Sequence, residues 1–251
     1  MDPHGGTSFN PLLIFGGVGL GKTHLANAIG INVKQAFPEK TVLYISAEKF
    51  TQQYVDSVKK NNRNDFIHFY QLIDVLIIDD VQFFSGKSGT QDVFFHIFNH
   101  LHQNGKQVVL TSDKAPVDMQ EIEQRLLSRF KWGLSAELQT PDYETRISII
   151  KNKLARDGVE MEDDIIYYVA KHIKTNIREL EGAIISLMAQ SSFNKKQITL
   201  ELAKVIVEKF VKNTKKEISI DQIQKVVSDY FQMDVNTLQS KTRKRHIVQA
   251  R

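Results

Sequence analysis

The feature that most constrains this chain is the run Gly16-Gly17-Val18-Gly19-Leu20-Gly21-Lys22-Thr23, which fits G-x-x-x-x-G-K-[ST] in full. The four residues before it, Leu12-Leu13-Ile14-Phe15, read as a short buried strand, and a helical pattern runs from Thr23 to a stop at Pro38. A strand, a glycine-rich turn and a helix in that order make a phosphate cradle. The glycines let successive backbone N–H groups turn inward around phosphate oxygens, and the positive end of the helix adds to them. Gly17, Gly19, Leu20, Gly21, Lys22, Thr23 and His24 are therefore expected to hold a nucleotide, ATP or ADP. Lys22 is placed to neutralise the β- and γ-phosphates, and the Thr23 hydroxyl to ligate Mg²⁺.

The first half of the chain alternates short apolar runs with helical patterns. Residues 42–45, 75–78 and 107–111 read as further strands. Ser46 caps a helix with Glu48 in its first turn, and 92–102 is helical. The fold class that follows is α/β, a parallel sheet between two layers of helices. The pattern changes at Thr140-Pro141-Asp142, read as a helix start with Thr140 as cap and Pro141 at the first helical position. Beyond it come only helices, at about 142–156, 162–172, 177–192 and 200–211, with Asn176 and Glu179 as a capping-box-like start to the third. The expected domains are a nucleotide-binding αβα unit over 1–140 and a smaller all-helical lid over 141–212. Residues 213–251 follow as a linker and a further helix at about 219–230, ending in the basic run Lys241, Arg243, Lys244, Arg245 and Arg251.

Composition excludes several classes. With 251 residues, 41% hydrophobic and 25% charged, the chain has enough apolar material for a large core and is not of disordered type. It has no cysteine, so neither disulfides nor thiolate metal sites are available, which suits a reducing cytosol. Residues 1–6 do not form a basic segment followed by an apolar run, so they do not read as a signal peptide. The apolar runs are too short to span a bilayer. A net charge of +4 permits nucleic-acid binding without requiring it.

Other residues offer two readings each. Asp79-Asp80 ends the third strand: Asp79 can hold the magnesium and Asp80 can orient or deprotonate the attacking water, or the pair can simply make a turn. Ser112-Asp113 ends the fourth strand, where a parallel sheet meets its ligand, as a γ-phosphate sensor or again a turn. Arg129 suits a charge-stabilising role on a transferring phosphoryl group, or a solvated helix end. Arg178 begins a lid helix, as a nucleotide contact or in a surface pair with Glu179 or Glu181. His96 and His100, four apart on one helix, read as packing or a solvated face rather than half of a zinc site. Phe94, Phe95 and Phe98 read as core, and Lys59, Lys60 and Arg63 as a solvated helix end.

Five segments in order, NPLLIFGGVGLGKTH (10–24), IIDDVQFF (77–84), LTSD (110–113), RLLSRFKWGL (125–134) and NIRELEGA (176–183), closely resemble the bacterial chromosomal replication initiators of the DnaA family. The resemblance covers most of residues 6–212. It implies an AAA+ fold with a helical lid, ATP and Mg²⁺ binding, slow hydrolysis, and ATP-driven self-assembly that binds and opens origin DNA as single strands. It implies that Arg129 is an arginine finger acting on a neighbour's ATP, that Arg178 is the lid's nucleotide sensor, and that Arg125 takes part in contact between subunits. It places Val55 and Lys87 at single-strand DNA contacts. The replicative helicase, regulatory ATPases and membrane phospholipid are partners that it admits but that no residue specifies, and the expected location is cytoplasmic, at the nucleoid. Family members carry an N-terminal partner-binding domain and an adenine-binding segment before the position of Asn10, and a helix-turn-helix past the position of Arg251, so the chain reads as a fragment. Two other readings compete: a related regulatory or helicase-loading ATPase, and a nucleotide-gated scaffold that does not hydrolyse ATP, with Asp80 as a structural cap.

Overall fold

The computed structural model describes residues 9–194, 197–214, 227–228 and 230–231. Residues 1–8, 215–217, most of the expected 219–230 helix and the basic run from 241 to 251 lie outside the described residues.

Strands β1 (Leu12–Phe15), β2 (Val42–Ser46), β3 (Val75–Asp79), β4 (Gln107–Ser112) and β5 (Leu134–Glu137) form one sheet in the order β2-β3-β4-β1-β5. Every pairing is parallel, so all five strands end on the same edge. Helices α1 (Lys22–Ala36), α2 (Ala47–Lys59), α3 (Arg63–Gln71), α4 (Ser88–Gln103) and α5 (Gln124–Phe130) cover the sheet. β3 is buried at every residue, as expected of a central strand covered on both faces.

One layer of the core is aromatic. Phe50 on α2 meets Phe66, Tyr70, Phe84 and Phe94 edge-on, with centroids 5.3, 4.9, 5.7 and 5.6 Å away. Burial of each such ring contributes about 1.5–3 kcal/mol, and this ties α2 and α3 to α4 and to the turn after β3. Phe94 and Phe98 lie in this core as expected. Phe95, one residue round the helix, is only half-buried and carries the guanidiniums of Arg125 and Arg129 at 4.9 and 5.7 Å.

Helices α6 (Tyr143–Asp157), α7 (Asp163–His172), α8 (Ile177–Asn194) and α9 (Leu200–Thr214) build a separate core around Ile150, Val169, Leu187 and Val207. The start of α6 differs from expectation: Asp142, not Thr140, is the cap, accepting from Thr145 N–H at 2.8 Å. The cause is Arg146, whose buried guanidinium binds the Pro141 carbonyl at 2.6 Å and the Ala170 carbonyl at 2.8 Å. That holds the chain before Asp142 in place and delays the helix. β5 was not foreseen; its residues LSAE are mostly exposed and carry no strand-like apolar run. No helix among the described residues is long and apolar enough to cross a membrane.

Candidate nucleotide site

The loop after β1 curls over the strand ends. Gly21 caps α1 at φ 95°, and Gly19 sits at φ 76°, both in the left-handed region that a side chain disfavours. A Cβ on Gly19 would lie 2.9 Å from Asn176 Oδ1, so this position is closed to any larger residue by sterics as well. The Gly19 carbonyl accepts from the N–H groups of Ile177 and Arg178 at 3.0 and 3.3 Å. The first turn of α8 therefore rests on the loop. Asn176 Oδ1 in turn caps α8, accepting from Glu179 N–H at 2.8 Å, and Thr175 donates to the Glu179 carboxylate.

Lys22, 5% exposed, folds inward, and its ammonium donates to the carbonyls of Gly16 and Gly17 at 2.9 and 2.8 Å and pairs with Asp113 at 2.6 Å. The Thr23 hydroxyl donates to Asp79 Oδ2 at 2.8 Å. The same Asp79 oxygen accepts from the Tyr44 hydroxyl at 2.6 Å, and the other oxygen accepts from buried Thr111. Burial, then the bond to Asp79, pushes the Tyr44 hydroxyl well above the ordinary tyrosine range, so it remains a donor. Asp80 takes a left-handed backbone conformation, φ 60° and ψ 53°, and its N–H donates to Thr111 Oγ1 at 2.8 Å. Gln82, in the short 3₁₀ turn Val81–Phe84, donates to Asp80 at 3.1 Å and to Asp113 at 3.2 Å. Partial burial raises the Asp80 carboxyl above its ordinary value; Asp79 and Asp113 add to this, while Gln82 and Lys22 oppose it.

A family model described as the bacterial DnaA ATPase domain matches residues 2–137. Over 247 residues, 98% of the chain, the sequence is 83% identical to the chromosomal replication initiator protein DnaA of Flavobacterium psychrophilum.

The chain belongs to the bacterial DnaA family.

It spans about half the length of the curated relatives it matches, 52% for the one just named. Among solved structures, domain III of the Thermotoga maritima replication initiation protein DnaA superposes with a TM-score of 0.79 at 44% identity, covering 82% of this chain and 86% of that one. A replication initiator DnaA bound to AMPPCP and single-stranded DNA superposes with a TM-score of 0.68 at 37% identity, covering 96% of this chain and 70% of that one. The parallel sheet with its helical lid is thus the AAA+ fold of the DnaA family.

Against this DnaA frame, the structure brings Gly17, Gly19, Leu20, Gly21, Lys22, Thr23, His24, Asp79, Asp80 and Asp113 to one edge of the sheet, with Arg178 above them on the lid. Ser112 is on that edge too, but its buried hydroxyl accepts from Lys114 N–H at 3.0 Å, which is turn geometry. Arg125 and Arg129 lie elsewhere. Arg125 is held by Asp92 and by Glu123, the latter at 2.6 Å. Arg129 bonds Asn99 at 2.9 Å and stacks on Trp132 at 4.6 Å. Both the end of α4 and the α5–β5 turn lie where strands begin, since Leu134 pairs with Leu12. Val55 is 41% exposed on α2, and Lys87 precedes α4; Tyr54 fills the space beside Gly89 and so joins these two elements. Tyr44, Thr111 and Gln82 escaped the sequence reading. Thr111 and Gln82 lie within the segments LTSD and IIDDVQFF without being singled out there; the pairing of β2, β3 and β4 brings Tyr44 and Thr111 to Asp79 and Gln82 to Asp113.

Proposed function

We propose that this chain is the nucleotide-driven core of a replication initiator: it binds ATP with Mg²⁺, hydrolyses it slowly, assembles with copies of itself through the nucleotide site and engages single-stranded origin DNA. The observation that carries this reading is the convergence of Thr23 and Asp79, 2.8 Å apart, beneath a glycine loop whose Lys22 ammonium is turned into the cradle.

The residues fit the groups they would hold. Thr23 and Asp79 offer a hydroxyl and a carboxylate, the hard oxygen donors that Mg²⁺ selects. When bound, the ion would neutralise charge developing on the phosphate oxygens. Tyr44 and Thr111 fix the Asp79 carboxylate by bonding both of its oxygens. Lys22 exchanges its loop carbonyls and Asp113 for the β- and γ-phosphates. Asp80, with its raised carboxyl, accepts the proton of the attacking water, and Gln82 spans from it to Asp113 and sets its orientation. Arg178, at the head of the lid helix resting on Gly19, reads the nucleotide from above.

Arg129 is assigned to a neighbour's ATP. It sits at the edge where strands begin, and the loop lies past the opposite end of β1, about 10 Å of strand away. Val55 and Lys87, on joined elements, are assigned to single-stranded DNA, and division into an αβα unit and a lid near residue 140 is supported by the two separate cores. In the test, Lys22→Ala abolishes ATP binding, whereas Arg129→Ala binds ATP normally and loses ATP-dependent assembly. A Lys22→Ala protein with full ATP affinity would falsify the site.

A further inference from the structure

Two arginines lie over the Phe95 ring, and their environments differ. Arg125 is neutralised by two carboxylates, Asp92 and Glu123. Arg129 has no carboxylate partner among the described residues; only its Nε is engaged, on the neutral Asn99 oxygen at 2.9 Å. Neither terminal nitrogen has a hydrogen-bond partner among the described residues. A half-buried guanidinium with its bidentate end unused is set up to receive an oxyanion.

What keeps it in place is aromatic. The Arg129 guanidinium lies 4.6 Å over Trp132 and 5.7 Å over Phe95. Trp132 stacks on His102 at 4.3 Å and 23°, and His102 on Phe98 at 6.0 Å and 18°. The column ends on a fully buried ring of the core. Trp132 itself is held by its backbone. Its N–H donates to the Arg129 carbonyl at 3.2 Å, and next to it Gly133 lies so close to Pro11 that a Cβ would come within 2.1 Å of that carbonyl. Yet Trp132 is 55% exposed, so burial alone does not explain an indole there.

We propose that Trp132 is the positioning residue of Arg129, its indole holding the guanidinium flat with the terminal nitrogens directed outward for a triphosphate bound by another copy of this chain. An arginine loses rotamer freedom when fixed; here the stack removes that freedom before the partner arrives. The inference rests on the assignment of Arg129 to a neighbour's ATP.

The experiment uses this chain with ATP and Mg²⁺ and the variants Trp132→Leu, Trp132→Phe, Arg129→Ala and Lys22→Ala. Trp132→Leu is expected to bind ATP normally while ATP turnover in the assembled state falls about tenfold; Trp132→Phe, which keeps a flat ring, recovers most of it. Mixing is the decisive arm. Trp132→Leu supplies an intact ATP site and Lys22→Ala an intact Arg129, so the mixture turns over ATP where neither does well alone. A Trp132 that only stabilised its own fold would show no such recovery. Trp132 is also the one tryptophan of the chain, and its emission is expected to change on ATP-dependent assembly in the parent and not in Arg129→Ala. If Trp132→Leu folds and turns over ATP like the parent while Arg129→Ala does not, this inference alone fails. If Arg129→Ala assembles and turns over ATP normally, the assignment beneath it fails. Should Trp132→Leu not fold, Trp132→Phe decides: a folded Trp132→Phe protein that binds ATP normally but turns it over as poorly as Arg129→Ala overturns the proposal.

Discussion

Asp80 occupies a backbone region that asparagine and aspartate tolerate better than other side chains, and its carboxyl is pushed up chiefly by burial, with Asp79 and Asp113 adding to the effect. The sign follows: a carboxylate with a raised value in the fold opposes folding when ionised, and protonation relieves it. Asp80→Asn keeps the shape, tolerates φ 60° and removes the charge. It is expected to raise the melting midpoint at neutral pH by about 1–3 °C, while ATP turnover falls at least about a hundredfold; calorimetry and single-turnover assays measure the two. Parental turnover in this variant would remove Asp80 from the base role. The Asp79-Asp80 pair was legible because two acids abruptly end an apolar run. Tyr44, Thr111 and Gln82 were not, because a tyrosine or threonine within a strand and a glutamine in a turn are ordinary residues until strand register places them.

Among elements, α8 shows the most direct coupling of packing to the site. Its first two N–H groups are bonded to the Gly19 carbonyl and the next to Asn176 Oδ1, so one helix end is shared by the lid and the phosphate loop. Asn176→Ala removes a cap worth about 1 kcal/mol. The expected result is a midpoint lower by about 2–4 °C, faster amide exchange over 177–180, and weaker ATP binding by a few-fold. Exchange unchanged at those amides would show that the cap does not hold the junction. Four of the five strands, and helices α1, α2, α4 and the four of the lid, were readable in order from apolar periodicity and caps; α3 and α5 were not. β5 was not, because an edge strand with LSAE buries little and has no pattern to find; it is defined by pairing with β1 alone. The α6 start was misplaced by two residues because Thr140 and Asp142 are both good caps, and the buried Arg146, one turn into the helix, decides between them through the Pro141 and Ala170 carbonyls.

At the scale of the whole molecule, the two cores respond to acid with opposite sign. In the lid, Asp142 is held below its ordinary value of 3.8 by the Thr145 N–H, Asp157 by Lys153 and Asp163 by Lys151. Carboxyls depressed in this way contribute stability above 3.8 and lose it as the pH falls through their lower folded-state values, whereas Asp80 in the sheet domain gains by protonation. On acidification from about pH 5 to about pH 2, α6 and α7 are therefore expected to lose amide protection before β3 and β4, and added salt should shrink the difference because these lid groups are exposed. A sheet that opens first would contradict this. The parallel register of β1 with both of its neighbours has a last consequence. The loop leaves one rim of the sheet and Arg129 stands at the other, so in the proposed assembly donor and recipient surfaces are unlike, and no two-fold pair can satisfy both. Where such a head-to-tail stack does not close into a ring, it has one terminal chain whose guanidinium is unclaimed and another whose triphosphate goes unattended. A stack of n chains then completes n − 1 catalytic sites, so the nucleotide lifetime per chain shortens as the stack grows.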